Sequence, residues 1–218
     1  MSQVRGGTRW KRFAVVMVPS VAATAAIGVG LAQGALAASF AVSGQEFKVS
    51  TDSLTGKGFA QYGGVDMGYK NVAEGDDQVL HPVAISAFKT ASIRGMCQSV
   101  VTDVPLLGKI TLKLKAGGGS EPVRATNLYL DVTELDADAE FKNIDIGVAA
   151  KNTDDPGIGK GPAVKDKTIM QNGFAQQAEE VTLTGVKQKA WATTAGTFKL
   201  SGLSMRLHKG AGSGVECY

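Results

Sequence analysis

From Lys109 to Lys115 the chain alternates without interruption. Ile110, Leu112 and Leu114 fall on one side, and the three lysines with Thr111 on the other. Successive side chains of an extended strand point to opposite faces, so a period of two predicts a half-buried strand with the aliphatic residues inside. Leu128, Leu130 and Val132 repeat the pattern, and Leu135, Ala137, Ala139 and Phe141 continue it one residue out of phase. Ile144, Ile146 and Val148 shift it again. A slip of one residue exchanges the two faces, so each shift predicts a bulge or a turn. Phe198 and Leu200 alternate, then Leu203, Met205 and Leu207 in the other phase, with Ser201-Gly202 as the predicted bulge. Val83, Ile85 and Ala87 start a further strand, and Phe40 with Val42, then Phe47 with Val49, form the first pair. Helical periodicity is weak; only Phe174 to Glu180 holds a run of good helix formers, and residues 63–78 and 150–167 read as long Gly/Asp-rich loops. Many short strands with turn signals predict an all-β domain: a sandwich, a barrel or a solenoid-like stack.

The N-terminus follows different rules. Residues 1–12 hold Arg5, Arg9, Lys11 and Arg12 and no acid; no charge then occurs from Phe13 to Gln45, and the apolar run closes on Ala35-Leu36-Ala37. A basic start, an apolar middle and an A-x-A end describe a secretory signal peptide. The run from residue 13 to 36 also has the roughly 20 residues that span a bilayer, so an uncleaved anchor helix is the alternative. The four preceding cations would hold its N-terminus in the cytoplasm. Either way residues 1–37 direct the chain out of the cytoplasm, and residues 38–218 are expected to form one β-rich extracytoplasmic domain.

Charge and cysteine content then change meaning. The whole chain has 23 basic and 20 acidic residues; without the four N-terminal cations the domain keeps 19 basic against 20 acidic. The basic pI therefore belongs to the leader, and nucleic acid is not an expected partner. The two cysteines, Cys97 and Cys217, both fall in the exported part, where a pair of thiols is expected to join. No C-x-x-C or H-x-x-x-H spacing accompanies them, so no metal and no cofactor are expected.

Parts of the sequence echo one another. Gly58-Phe59-Ala60-Gln61 recurs as Gly173-Phe174-Ala175-Gln176; Val83 to Lys89 resembles Val181 to Lys187, and Ile110 to Leu114 resembles Leu203 to Leu207. Two degenerate halves would give this pattern, and so would strand composition alone.

Candidate chemistry is sparse. Asp136, Asp138 and Glu140 share one face of a strand but lack the glycine of a calcium loop, and a solvated face is the expected reading. Lys109, Lys113 and Lys115 form a basic stripe suited to anionic lipid or wall polymer, or to keeping a strand edge from aggregating. No G-x-S-x-G nucleophile elbow occurs. Thr51-Asp52-Ser53-Leu54 resembles a G-D-S-L lipase block, with threonine in place of its first glycine. Any serine mechanism has only His81 and His208 as base; Ser53 or Ser99 would attack and Asp103 would orient the ring.

The start Met1 to Arg12, the Gly58-Phe59-Ala60-Gln61 and Met96-Cys97-Gln98-Ser99 blocks, and Asn127 to Asp131 resemble a family of exported actinomycete proteins. That family is largely of unknown function, and some members carry the label cholesterol esterase. The resemblance covers essentially the whole chain and brings no catalytic motif. The expected function is a non-catalytic, secreted or membrane-anchored envelope protein that binds a lipid, a sterol-like molecule or an envelope polymer. The alternative is a steryl ester hydrolase using the serine, histidine and aspartate candidates above.

Overall fold

The computed structural model of the chain describes residues 41–42, 45–71, 74–165 and 170–218. The expected signal or anchor helix, and Phe40, lie outside the described residues. Ten strands follow in order: β1 (Ala41–Val42), β2 (Phe47–Asn71), β3 (Glu74–Arg94), β4 (Met96–Val104), β5 (Gly108–Ala116), β6 (Val123–Lys142), β7 (Asp145–Ala149), β8 (Phe174–Thr194), β9 (Thr197–Lys199) and β10 (Ser204–Lys209).

Four long strands close on themselves. β2 pairs antiparallel with β3 along one edge and with β8 along the other; β3 pairs with β6, and β6 with β8. Leu54 thus stands between Ile93 and Leu183, and Tyr62 between Ile85 and Ala175. A circuit of strands without a free edge is a barrel, and of the three predicted all-β architectures this is the one found. The other strands extend it. β4 pairs with the start of β2 and continues through β5 to β10; β7 joins β8 and β9 joins β6. β1 runs parallel to the far part of β2, with Ala41 opposite Met67.

Strands of 20 to 25 residues are several times the usual length and must bend to wrap a small barrel. The bends are visible as changes of phase. The buried set passes from Leu54 to Phe59 on β2, from Ala91 and Ile93 to Phe88 on β3, and from Val123 and Ala125 to Leu128 and Leu130 on β6. The three changes fall at one level, between the rows Lys57–Thr90–Thr126 and Phe59–Phe88–Leu128. Gly58 (φ 64°) and Asn127 (φ 46°) supply left-handed backbone at that level. These are the residue types that adopt such a conformation at least cost. Phe88, Leu128, Val123 and Val181 are fully buried in the resulting core.

Several sequence expectations are corrected here. Of the first predicted loop, residues 63–71 are the end of β2 and 74–78 the start of β3, with Gly63 opposite Ala84 and Gly68 opposite Val79. Phe174 to Glu180 is strand, held by pairing to β2 from Tyr62 to Lys57. Phe174 to Glu180 also pairs with β7 and β6 on its other side, while β2 and β3 over residues 63–71 and 74–78 pair chiefly with each other; in each case strand pairing overrides a weak local preference. Ser201-Gly202 is a turn between β9 and β10 rather than a bulge within one strand. The predicted slip after Val132 is present as register shifts between Asp131 and Glu134, and the one between Phe141 and Ile144 falls on the turn from β6 to β7; a further shift between Asp136 and Asp138 interrupts a run expected to be continuous.

The strand that opened the sequence pattern keeps Lys109 and Lys115 exposed as expected, but its cover otherwise differs from expectation. Thr111, on the lysine side of β5, is fully buried, whereas Ile110, Leu112 and Leu114 are only half-buried. The cause is the C-terminal tail. Cys97 and Cys217 form a disulfide, 2.04 Å between sulfurs, that lays residues 210–218 across the polar face of β4 and β5. Thr111 Oγ1 donates to the Gly210 carbonyl (2.6 Å), and Lys113 Nζ to that of Glu216 (2.8 Å). The Cys217 N–H donates to Ser99 Oγ (3.1 Å), and Lys48 pairs with the Glu216 carboxylate (2.7 Å).

Candidate functional site

The barrel does not fill its own interior. A cavity of about 120 Å³ lies among Phe59, Phe88, Leu130, Phe141 and Leu183, with Leu135, Ala137 and Ala139 at its outer side. The rings of Phe88 and Phe141 stand 5.4 Å and 5.5 Å from that of Phe59, both tilted by about 45°. Tilted contact at this spacing suits aromatic quadrupoles and holds the wall in place. A polar chain marks one side: Gln61 Nε2 donates to Ser86 Oγ (2.9 Å), and Gln176 Nε2 donates to Gln61 Oε1 (2.6 Å). The bend at Gly58 is what brings Phe59 and Gln61 to the inner face. An apolar pocket with a few fixed polar groups is the usual make-up of a small-molecule site.

The other face of the same strands is buried too, under the segment from Ala150 to Lys165. Ala60, Tyr62, Val83, Ile85, Ala87 and Ala175 pack against Ala150 and Val164. The segment is pinned along its length. Gln177 Nε2 donates to the Ile158 carbonyl (2.9 Å) and its Oε1 accepts from the Lys160 N–H (3.0 Å). Tyr129 Oη donates to the Ala163 carbonyl (2.7 Å), and the Lys165 N–H donates to Tyr62 Oη (2.9 Å). Burial raises the Tyr62 phenol well above its ordinary range, so it serves as a neutral acceptor.

This strap ends on a buried polar group. Lys165 Nζ forms an ion pair with Asp131, whose side chain is almost wholly enclosed. Asp66 is a neighbour of this pair, and desolvation first, then the Asp131 charge, push its carboxyl up to about 6. Among the described residues Asp66 Oδ2, Asp131 Oδ1 and His81 Nε2 are buried without hydrogen-bond partners. The His81 ring is stacked on Trp191 at 3.8 Å.

The residues proposed for a serine mechanism fall in separate places. Ser53 is on β2 between Arg94 and Thr184. His81 is on β3 opposite Asp66, against Trp191. Ser99, Asp103 and His208 share the tail-side face of the outer sheet, but β5 runs between them: Ser99 is opposite Lys113, Asp103 opposite Lys109 and His208 opposite Thr111. Two strand spacings amount to about 10 Å, beyond hydrogen-bond reach. Ser99 Oγ is buried and accepts from the Cys217 N–H. His208 faces Lys113 and Arg206 in an open basic groove. Asp136, Asp138 and Glu140 are exposed.

Sequence reasoning did not single out Gln61, Ser86, Asp66, Asp131 or Lys165. One signal was present: Tyr129 and Asp131 interleave with Leu128, Leu130 and Val132, a stretch in which both faces are rich in large or apolar side chains. A strand covered on both sides has that composition.

Comparison with curated proteins and with solved structures gives no match. Residues 43–218, by contrast, match the profile of the family of unknown function DUF6230, and the chain belongs to that family.

Proposed function

We propose that the domain is a non-catalytic envelope protein, working outside the cytoplasm, whose barrel takes the apolar end of a lipid-like molecule. The observation that carries the reading is the cavity among Phe59, Phe88, Leu130, Phe141 and Leu183. Its size decides the class of ligand. A cavity of about 150 Å³ holds one benzene ring, so this one accepts the end of an acyl or prenyl chain. It does not enclose a fused sterol nucleus. The remainder of the molecule would leave past Leu135, Ala137 and Ala139. The export signal and the disulfide support an extracytoplasmic setting.

The test uses a linear C18 polyenoic acid whose fluorescence rises on entering an apolar site. The wild-type protein is expected to bind it, and Ala139→Phe, which narrows the outer side of the cavity, to bind it at least about tenfold more weakly with an unchanged melting temperature. Absence of binding by the wild type defeats the reading. So does hydrolysis of a long-chain ester that is lost in His81→Ala or His208→Ala while the fold persists.

A further inference from the structure

The outer sheet of β4, β5 and β10 has one face under the C-terminal tail; the other begins at the barrel core with Met96 and Ala116 and is more open towards the β4–β5 hairpin. Val100 and Val104 of β4, Ile110 and Leu112 of β5, and Met205 and Leu207 of β10 lie on it. Met205 and Leu207 are 59% and 71% exposed. The β4–β5 hairpin ends in Pro105-Leu106-Leu107, where Leu106 is fully exposed and Leu107 is 62% exposed. Leu106 also has φ 70°. That conformation is suited to glycine or asparagine, and leucine adopts it at a cost. A leucine that is strained and packed against nothing does not stabilise the fold it sits in.

Cations stand beside the tip. Lys109 follows it on the tail-side face, opposite Asp103, and Lys209, opposite Ile110, stands on the apolar face, whereas Lys113, Lys115 and Arg206 line the groove under the tail. We infer that this hairpin and sheet face dock on an anionic lipid bilayer, with Leu106 and Leu107 entering the acyl boundary and Lys109 and Lys209 at the headgroups. An apolar projection flanked by cations is the pattern of interfacial membrane binding. This inference is independent of the cavity.

The test is hydrogen exchange of the full-length protein mixed with vesicles, either phosphatidylcholine alone or phosphatidylcholine with 30% phosphatidylglycerol. Reading exchange at the hairpin separates this contact from any insertion of the N-terminal segment. The amides of residues 106–109 are expected to exchange at least about tenfold more slowly with the anionic vesicles, and the protection to weaken in high salt. Leu106→Asn with Leu107→Asn is expected to abolish the protection without loss of thermal stability, since asparagine suits the backbone at residue 106. Lys109→Glu with Lys209→Glu is expected to do the same through charge. Unchanged exchange with anionic vesicles overturns the proposal. So does equal protection by the two lipids, or protection that rises with protein concentration in the absence of lipid.

Discussion

Gly56 shows how closely the barrel is drawn together: a Cβ placed there would stand 2.2 Å from Cδ1 of Phe88. Phe88 is itself fully buried, so it cannot swing aside. Gly56→Ala is therefore expected to destabilise by about 1–3 kcal/mol through overpacking, and Phe88→Ala by about 3–5 kcal/mol through the void it leaves. Chemical denaturation of the two variants checks both values, and a neutral Gly56→Ala would mean that β2 and β3 have room to separate. Asp66 carries a different prediction. Its carboxyl titrates near 6 in the folded protein, against about 4 when unfolded. Between those values the folded form holds a proton that the unfolded chain has released, so this group lowers stability as pH rises from about 4 to 6 and not further above. Asp66→Asn lacks that loss. Its stability relative to wild type is expected to grow across this window and to level off above it. Comparing the two proteins cancels contributions from other titrating groups. A difference independent of pH would refute the assignment.

At the scale of elements, two covers make the barrel's surroundings. The strap from Ala150 to Lys165 is anchored by the buried pair of Lys165 and Asp131. Removing one member of such a pair strands the other charge, so Lys165→Met is expected to cost about 3–5 kcal/mol. Lys165→Met with Asp131→Leu is expected to recover most of it. A double variant as unstable as the single one would place the energy in packing instead. The second cover is the tail. The disulfide closes a loop across a sequence separation of 120 residues, and Cys97→Ser with Cys217→Ser is expected to cost roughly 2–5 kcal/mol. The amide of Thr111 should lose protection more than that of Leu128. Uniform loss across both would show that the tail is part of the core rather than a layer over one sheet.

For the whole molecule, the closure of β2 on β8 governs behaviour. Phe47 to Tyr62 pairs with residues more than a hundred positions later, and until β8 arrives β2 and β6 both lack a neighbour. Contacts of such long sequence separation require costly loop closure, which predicts slow folding, in milliseconds to seconds, and one cooperative transition for the barrel. Stopped-flow refolding with the disulfide intact measures the rate. Separate unfolding of β2–β3 and β6–β8 would contradict closure. The sequence echoes find their meaning at this scale. Gln61 and Gln176 are paired neighbours, β3 and β8 flank the two edges of β2, and β5 and β10 pair with each other. Like segments share environments, which accounts for the similarity without a duplicated half.

Alternation alone was enough for the β class, for the strands around Val83, Ile110 and Leu128, and for the slip after Val132 in β6, because period two is a local property of extended chain. A chain with only two cysteines was enough to name the disulfide partners. The sequence left open which face of each strand is inside. Lys113 and Leu112 carry a clear polarity, yet the tail covers the lysine side, because a disulfide and a set of side-chain hydrogen bonds can hold a polar layer as firmly as packing holds an apolar one. The cavity and the Asp66–Asp131–Lys165 group were illegible for a related reason. Their members come from β2, β3, β6, β8 and the strap, and only the closure of the barrel and the bend at Gly58 bring residues so distant in the chain to one place.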